Sequence, residues 1–157
     1  MSVIVPARDE EACLGACLGS LESQTGVSFE IIVVDDASAD RTREIAQSFL
    51  SVRVVEGGPP PPDWTGKNNA MAAGAKVARG EWLLFTDADT VHKPGSLARA
   101  VAEAKQRECA SGVPPPSISE DRGSDGSLLQ HSLNGFHAEE TENIQKRKAV
   151  LLGERDV

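Results

Sequence analysis

Four short apolar runs, Val3–Val5, Ile31–Val34, Val52–Val55 and Trp82–Phe85, constrain this chain more than anything else in it. The first, second and fourth are continuous rather than alternating, bounded by polar or turn-forming residues and too brief for a buried helix, so they read as buried strands, the last covered on both faces, while Val52–Val55, interrupted by Arg53, reads as a third strand. The stretches between them have helical character. Leu14, Leu18 and Leu21 recur at helical spacing, Ile45, Ala46 and Phe49 form an inner stripe, Lys67 to Ala78 is alanine-rich, and Leu97, Val101 and Ala104 mark one face of a helix running to about Arg107. Strands alternating with helices predict an α/β fold, an open and mainly parallel sheet flanked by helices with right-handed crossovers. Ligands of such sheets gather beyond the carboxyl ends of the strands.

Local signals supply the boundaries. Asp9 is expected to cap the first helix, with Glu10 and Glu11 in its first turn and Gly26 as its stop. Ser38 or Asp40 caps the second, and Pro94 sits in a first turn of the last. From Glu56 to Gly66 the chain reads E-G-G-P-P-P-P-D-W-T-G, which its prolines hold extended, a stiff loop suited to framing a crevice. Arg79-Gly80 ends the third helix.

Two of the strands end abruptly in charge. Ile31–Val34 runs into Asp35-Asp36, and W-L-L-F runs into Thr86-Asp87-Ala88-Asp89. In extended chain, side chains two residues apart point the same way, about 7 Å apart at the backbone. Two such charges repel by roughly 2–3 kcal/mol at an effective dielectric of about 20, a repulsion that a divalent cation turns into attraction. Oxygen donors with an incomplete shell suit Mg²⁺ or Mn²⁺ holding a phosphate. Taken alone, D-A-D is equally a polar turn after a strand.

Bulk properties narrow the partners. At 157 residues there is room for one domain with a real core, and 39% hydrophobic residues fit a soluble globular protein. A net charge of -8 argues against a nucleic-acid binder or a basic membrane-surface helix. Cys13, Cys17 and Cys109 follow no secretory signal, which points to a reduced, cytoplasmic compartment. Cys13 and Cys17, one helical turn apart, read as small apolar core residues rather than as part of a metal site. No apolar run is long enough to span a membrane.

Composition shifts after residue 108. The stretch A-S-G-V-P-P-P-S-I-S-E-D-R-G-S-D-G-S is rich in turn formers, so residues 109–157 are expected to form a polar, largely disordered tail with a helix near 138–152. Two phosphate-binding motifs fail on the letters. Gly66-Lys67 lacks the upstream glycine and the following hydroxyl of a P-loop, and no G-x-G-x-x-G follows the first strand. A phosphorylation-receiver arrangement fits poorly, because the acidic pair follows the second strand and D-A-D the fourth.

Taken together, Pro6-Ala7-Arg8-Asp9-Glu10, Asp35-Asp36-Ala37-Ser38-Ala39-Asp40, Gly66-Lys67-Asn68 and Thr86-Asp87-Ala88-Asp89 resemble the nucleotide-sugar half of family 2 glycosyltransferases, which have the GT-A (Rossmann-like) fold. The resemblance covers about Ser2 to Arg107, so residues 1–108 are expected to form the nucleotide-sugar-binding domain. The Trp64–Asn68 loop, W-T-G-K-N, looks most like the hopanoid-associated bacterial branch. The resemblance implies a UDP-sugar donor, a divalent cation (Mn²⁺ or Mg²⁺) and an unknown acceptor, a lipid among the candidates, with the protein cytoplasmic or peripheral to the cytoplasmic membrane.

It also implies residue roles. Asp36 would accept a hydrogen bond from the uracil ring while the backbone near Pro6 and Ala7 packs against the base. Asp87 would contact the ribose or the metal, and Asp89 the metal bridging the diphosphate. Lys67 either approaches the diphosphate or is a solvated lysine at a helix start, and Arg8 is read in the same two ways. Asp40 and Asp35 are better explained as capping or turn carboxylates. His92, three residues after Asp89, is expected to be a surface loop histidine, the alternative being one that assists phosphate or metal binding. The acidic pairs Glu120-Asp121 and Glu139-Glu140 do not match the family's acceptor region, so no catalytic base is assigned. An acceptor half is expected to be missing, which makes a truncated, non-catalytic nucleotide-sugar binder the alternative to an active transferase.

Overall fold

A strand buried on both faces must be flanked in the sheet by other strands and covered above and below, and Val3, Ile4 and Val5, all at 0% exposure, occupy that position. In this computed structural model, which describes residues 1–62, 64–111 and 148–151, they form the middle of the central strand. The elements run β1 (Ser2–Ala7), α1 (Leu14–Glu22), β2 (Glu30–Asp35), α2 (Thr42–Ser48), β3 (Val52–Glu56), α3 (Gly66–Val77), β4 (Trp82–Phe85), α4 (Ser96–Ser111) and β5 (Lys148–Leu151). The sheet order is β3-β2-β1-β4-β5, and every pairing is parallel.

The chain winds outward from β1 to β3, then crosses back through α3 to place β4 on the other side of β1. That reversal opens a crevice above β1 and β4, where ligands of open α/β sheets bind. Alternation along β1 divides the core in two. Val3 and Val5 pack with Leu14, Leu18, Val33 and Leu97 beneath α1, α2 and α4. Ile4 packs with Ile32, Val34, Met71 and Leu83 beneath α3. Fully burying an aliphatic side chain contributes about 1.5–3 kcal/mol, so these two layers hold the sheet. A Cβ on Gly74 would lie 2.5 Å from Ile4 Cγ2, so the missing side chain is what lets α3 sit close on the sheet.

Several expectations about elements need correction, and Pro94 lies before α4 rather than in its first turn. Asp9 does not cap α1, which begins at Leu14, and Glu10 and Glu11 lie before the helix rather than in its first turn. These residues are used to tie two loops together, as described below. The helix ends at Glu22 with Ser23 as its cap, and Gly26 lies beyond it at φ 84. In the expected helix near 138–152, the described residues Lys148–Leu151 are instead a strand paired with β4. The free edge of β4 offers a row of backbone donors and acceptors, and pairing with it outweighs a weak local preference. The rest of that expected helix, the expected tail around it, Glu120-Asp121 and Glu139-Glu140 lie outside the described residues. Among the described residues no helix is long and apolar enough to cross a membrane.

Candidate functional site

The loops that leave β1 and β2 are strapped to each other, and this fixes what faces the crevice. Asp9 Oδ1 accepts from Ala39 N at 2.7 Å while Asp9 N donates to Ser38 Oγ at 3.1 Å. Glu10 N donates to Thr42 Oγ1 at 2.7 Å, Glu11 N to Asp40 Oδ2 at 3.0 Å, and Arg41 N to Glu11 Oε2 at 3.1 Å. Asp40 Oδ1 also accepts from Thr42 N at 2.9 Å, a turn bond just ahead of α2, whose cap position is Arg41 rather than the expected Ser38 or Asp40. Asp35 is a turn carboxylate, accepting from Ser38 N at 3.2 Å. Within these straps Asp9 and Ala37 adopt positive φ, 55 and 56. For non-glycine residues that conformation costs about 1–2 kcal/mol each. The straps hold the loops against that cost, directly after Arg8 and Asp36.

Pro6, Ala7, Arg8, Asp36, Lys67, Asp87 and Asp89, all singled out from the sequence, line one cleft of about 430 Å³ above the carboxyl ends of β1, β2 and β4. Glu10, Gly66, Ala70 and Ala88 complete its wall. Asp36 is the most buried of its charged groups at 8% exposure, with Arg8 Nη1 3.7 Å from its Oδ2. At the other end, Lys67 Nζ lies 2.5 Å from Asp87 Oδ1, both side chains about half exposed. Ala88 is buried, which leaves Asp87 and Asp89 on either side of it open to the cleft. Thr90 N donates to Asp87 O at 3.2 Å, so D-A-D is a turn rather than a continuation of β4.

Glu10 is the residue that sequence reasoning placed wrongly. Partial burial raises its pKa, and the negative charges of Asp89 and Asp87 raise it further. Its place in the Pro6–Glu10 motif is the available signal, but the preference for acidic residues at a helix start puts it in the first turn. Gly66 was likewise seen only as part of a motif. His92 is also not a surface residue. It is 6% exposed, its Nε2 is 3.1 Å from Thr86 Oγ1, and burial lowers its pKa. It braces the turn beneath Asp87 and Asp89 instead of lining the cleft. Cys17 is a buried thiol with a pKa pushed up to about 12 by burial and then by Asp89 and Asp87, as expected for a core residue.

The donor set suits a hard cation. Asp87 and Asp89 are oxygen donors with open positions around them, and a lysine ammonium already sits on Asp87. Among the described residues no group of three or more His, Cys, Asp and Glu side chains could hold a metal on its own. These residues therefore fit a cation whose remaining ligands come from a phosphate or water.

The family 2 glycosyl transferase profile matches residues 2–153. The chain belongs to glycosyl transferase family 2. A "PGL/p-HBAD biosynthesis glycosyltransferase" of Mycobacterium bovis is 36% identical over 111 residues, which cover 68% of this chain and 42% of that protein. The chain thus spans less than half the length of this curated relative. Among solved structures, the mannosyltransferase PcManGT of Pyrobaculum calidifontis, in complex with GDP-Man and Mn²⁺, matches with a TM-score of 0.54 and 31% identity over 64% of this chain and 30% of that one. Glucosyl-3-phosphoglycerate synthase of Mycobacterium tuberculosis, in complex with Mn²⁺, UDP and phosphoglyceric acid, matches with a TM-score of 0.54 and 27% identity over 66% and 38%. The fold is the GT-A-like fold of this family.

Proposed function

We propose that this domain of the family 2 glycosyl transferase binds a UDP-sugar together with Mn²⁺ or Mg²⁺ and presents the sugar for transfer to an acceptor, with a lipid acceptor as one candidate. The observation that carries the reading is the gathering of a buried carboxylate, two exposed carboxylates and two cationic side chains in a single cleft at the switch point of the sheet. Asp36 accepts the imide N–H of the base, and the backbone of Pro6 and Ala7 lies along its ring. Arg8 and Lys67 turn from their carboxylate partners toward the diphosphate. Asp89 holds the cation, with Asp87 on the cation or the ribose. When bound, the cation neutralises the charge that develops on the departing nucleoside diphosphate. The W-T-G-K-N loop from Trp64 to Asn68 supports placement near the hopanoid-associated branch. A protein working on such an acceptor would be cytoplasmic, at the membrane surface.

Calorimetry tests the reading. UDP should bind in Mn²⁺ and lose most of its affinity in chelator, because carboxylates cannot hold a diphosphate without a cation between them. GDP is the necessary comparison, since a carboxylate also accepts from the N–H groups of guanine. Tighter binding of GDP than UDP would replace uracil in the reading, and no binding of either in Mn²⁺ or Mg²⁺ would overturn it. Turnover of the donor with lipid and sugar acceptors then separates an active transferase from a domain that only binds.

A further inference from the structure

Asp36 lies between two glycines, and each leaves room for its carboxylate. A Cβ built on Gly66 would stand 2.1 Å from Asp36 Oδ2 and 3.2 Å from its Cγ, while one on Gly57 would stand 3.4 Å from Oδ1. Gly66 opens α3 just after Thr65, whose side chain accepts from Asn68 N at 3.2 Å. Its φ is not among the positive ones, so the backbone does not require glycine there. Within a helix glycine is a poorer choice than alanine. What this position needs is space, and the group that fills the space is Asp36.

The backbone around Asp36 is tied down, while its side chain is free to turn. Asp36 N donates to Ala7 O at 2.9 Å, and Gly57 N donates to Asp35 O at 2.9 Å. Asn69 Nδ2 reaches from the first turns of α3 to Gly57 O at 2.8 Å and Gly58 O at 3.0 Å, clasping the loop after β3 to the helix. The start of α3 and the Gly57 loop thus form one wall against which the carboxylate rests.

We propose that Gly66 is a specificity-determining position: by carrying no side chain it lets Asp36 lie flat against the start of α3, aimed at the donor-bearing edge of the nucleobase. This rests on the donor reading above and deepens it. Asp36 can rotate, so alanine at position 66 is accommodated by re-aiming the carboxylate rather than by unfolding. The carboxylate favours uracil, whose N3 carries a proton, over cytosine, whose N3 is an acceptor. A re-aimed carboxylate loses that preference.

The experiment is calorimetry of UDP and CDP in Mn²⁺ with wild type, Gly66→Ala, Asp36→Gly and the double variant, with thermal melting of each. Wild type should favour UDP. In Gly66→Ala, UDP affinity should fall about tenfold and the UDP-to-CDP ratio should approach one, with the melting temperature and Mn²⁺ binding of the free protein close to wild type. In the Asp36→Gly background, adding Gly66→Ala should change neither nucleotide by more than about twofold. If Gly66→Ala melts early instead, the double variant should recover, because the obstacle has been removed. Gly66→Ala that retains the wild-type preference overturns the inference while leaving the donor reading intact. An effect of equal size with and without the Asp36 carboxylate also overturns it. Wild type that binds no UDP overturns both.

Discussion

The two ends of the sheet both carry acidic residues beside β1 and β2, and they use them in opposite ways. At the end where β1 begins, Glu30 Oε1 accepts from Ser2 Oγ at 2.6 Å and from Arg79 N at 2.7 Å, and Ser2 Oγ accepts in turn from Gly80 N at 2.8 Å. Burial alone would raise the pKa of Glu30, but the bonds from Ser2 and Arg79 outweigh it and lower it. At the opposite end, Asp36 has an ion pair at 3.7 Å, and Asp87 has one exposed lysine. A carboxylate satisfied by backbone donors closes a structure, whereas one balanced by movable cationic side chains can exchange them for a ligand. The first end is a latch and the second is a site.

The largest expected effect breaks the latch. A Cβ on Gly80 would lie 2.5 Å from Met1 C and 2.6 Å from Ser2 N, and backbone cannot swing aside as a side chain can. Gly80→Ala should destabilise the fold by about 3 kcal/mol in urea denaturation, near the upper end for overpacking. If it costs no more than a cleft substitution, the contrast between the two ends fails.

Asp89→Asn should act in the reverse manner. Loss of one charge-assisted contact should weaken UDP binding in Mn²⁺ by about 2 kcal/mol and reduce its dependence on the metal, while stability shifts by about 0.5 kcal/mol or less. Calorimetry and urea denaturation on the same sample separate the two quantities. A large loss of stability would make Asp89 part of the framework.

Glu30→Gln is a smaller test, costing about 1 kcal/mol, because the amide oxygen still accepts both bonds without the charge and the group is partly solvated. The sign of its pH dependence follows from the lowered folded pKa. Its contribution is present above the ordinary glutamate pKa of about 4.3 and is lost as pH falls through the folded value. Acid unfolding of Glu30→Gln should therefore be shallower in that range than that of wild type.

The smallest effect belongs to His92, whose folded pKa is lowered by burial. Its neutral form contributes stability that is complete above about pH 6.5 and declines as pH falls toward the folded value, because the unfolded chain takes up the proton first. His92→Gln should flatten the stability profile just below pH 6.5. An unchanged slope would mean that the buried imidazole is not what titrates there.

Much of the fold and cleft was legible because the signals were local and repeated. Continuous apolar runs placed β1, β2 and β4, the valines around Arg53 placed β3, helical spacing placed Leu14, Leu18 and Leu21 in the core, and strand-terminal carboxylates pointed to one sheet edge. Other features were illegible for physical reasons. Asp9, Glu10 and Glu11 have the composition of a helix start, and only the neighbouring loop, some thirty positions away, claims their backbone and side chains. His92 looks like a loop residue until Thr86 and Ser20 close around it.

By itself, the sequence determined where β1 to β4 would lie and which side chains would end them, since apolar runs bounded by turn formers and the cost of interior charge leave few alternatives. Tertiary structure alone decided that Lys148–Leu151 pairs with β4, that Gly66 stands against Asp36, and which of the acidic groups would be bound by backbone and which left to movable cations. Those outcomes depend on groups far apart in the chain coming within a few ångströms, and the balance between burial, charge and hydrogen bonding at such contacts is set only when the surfaces meet.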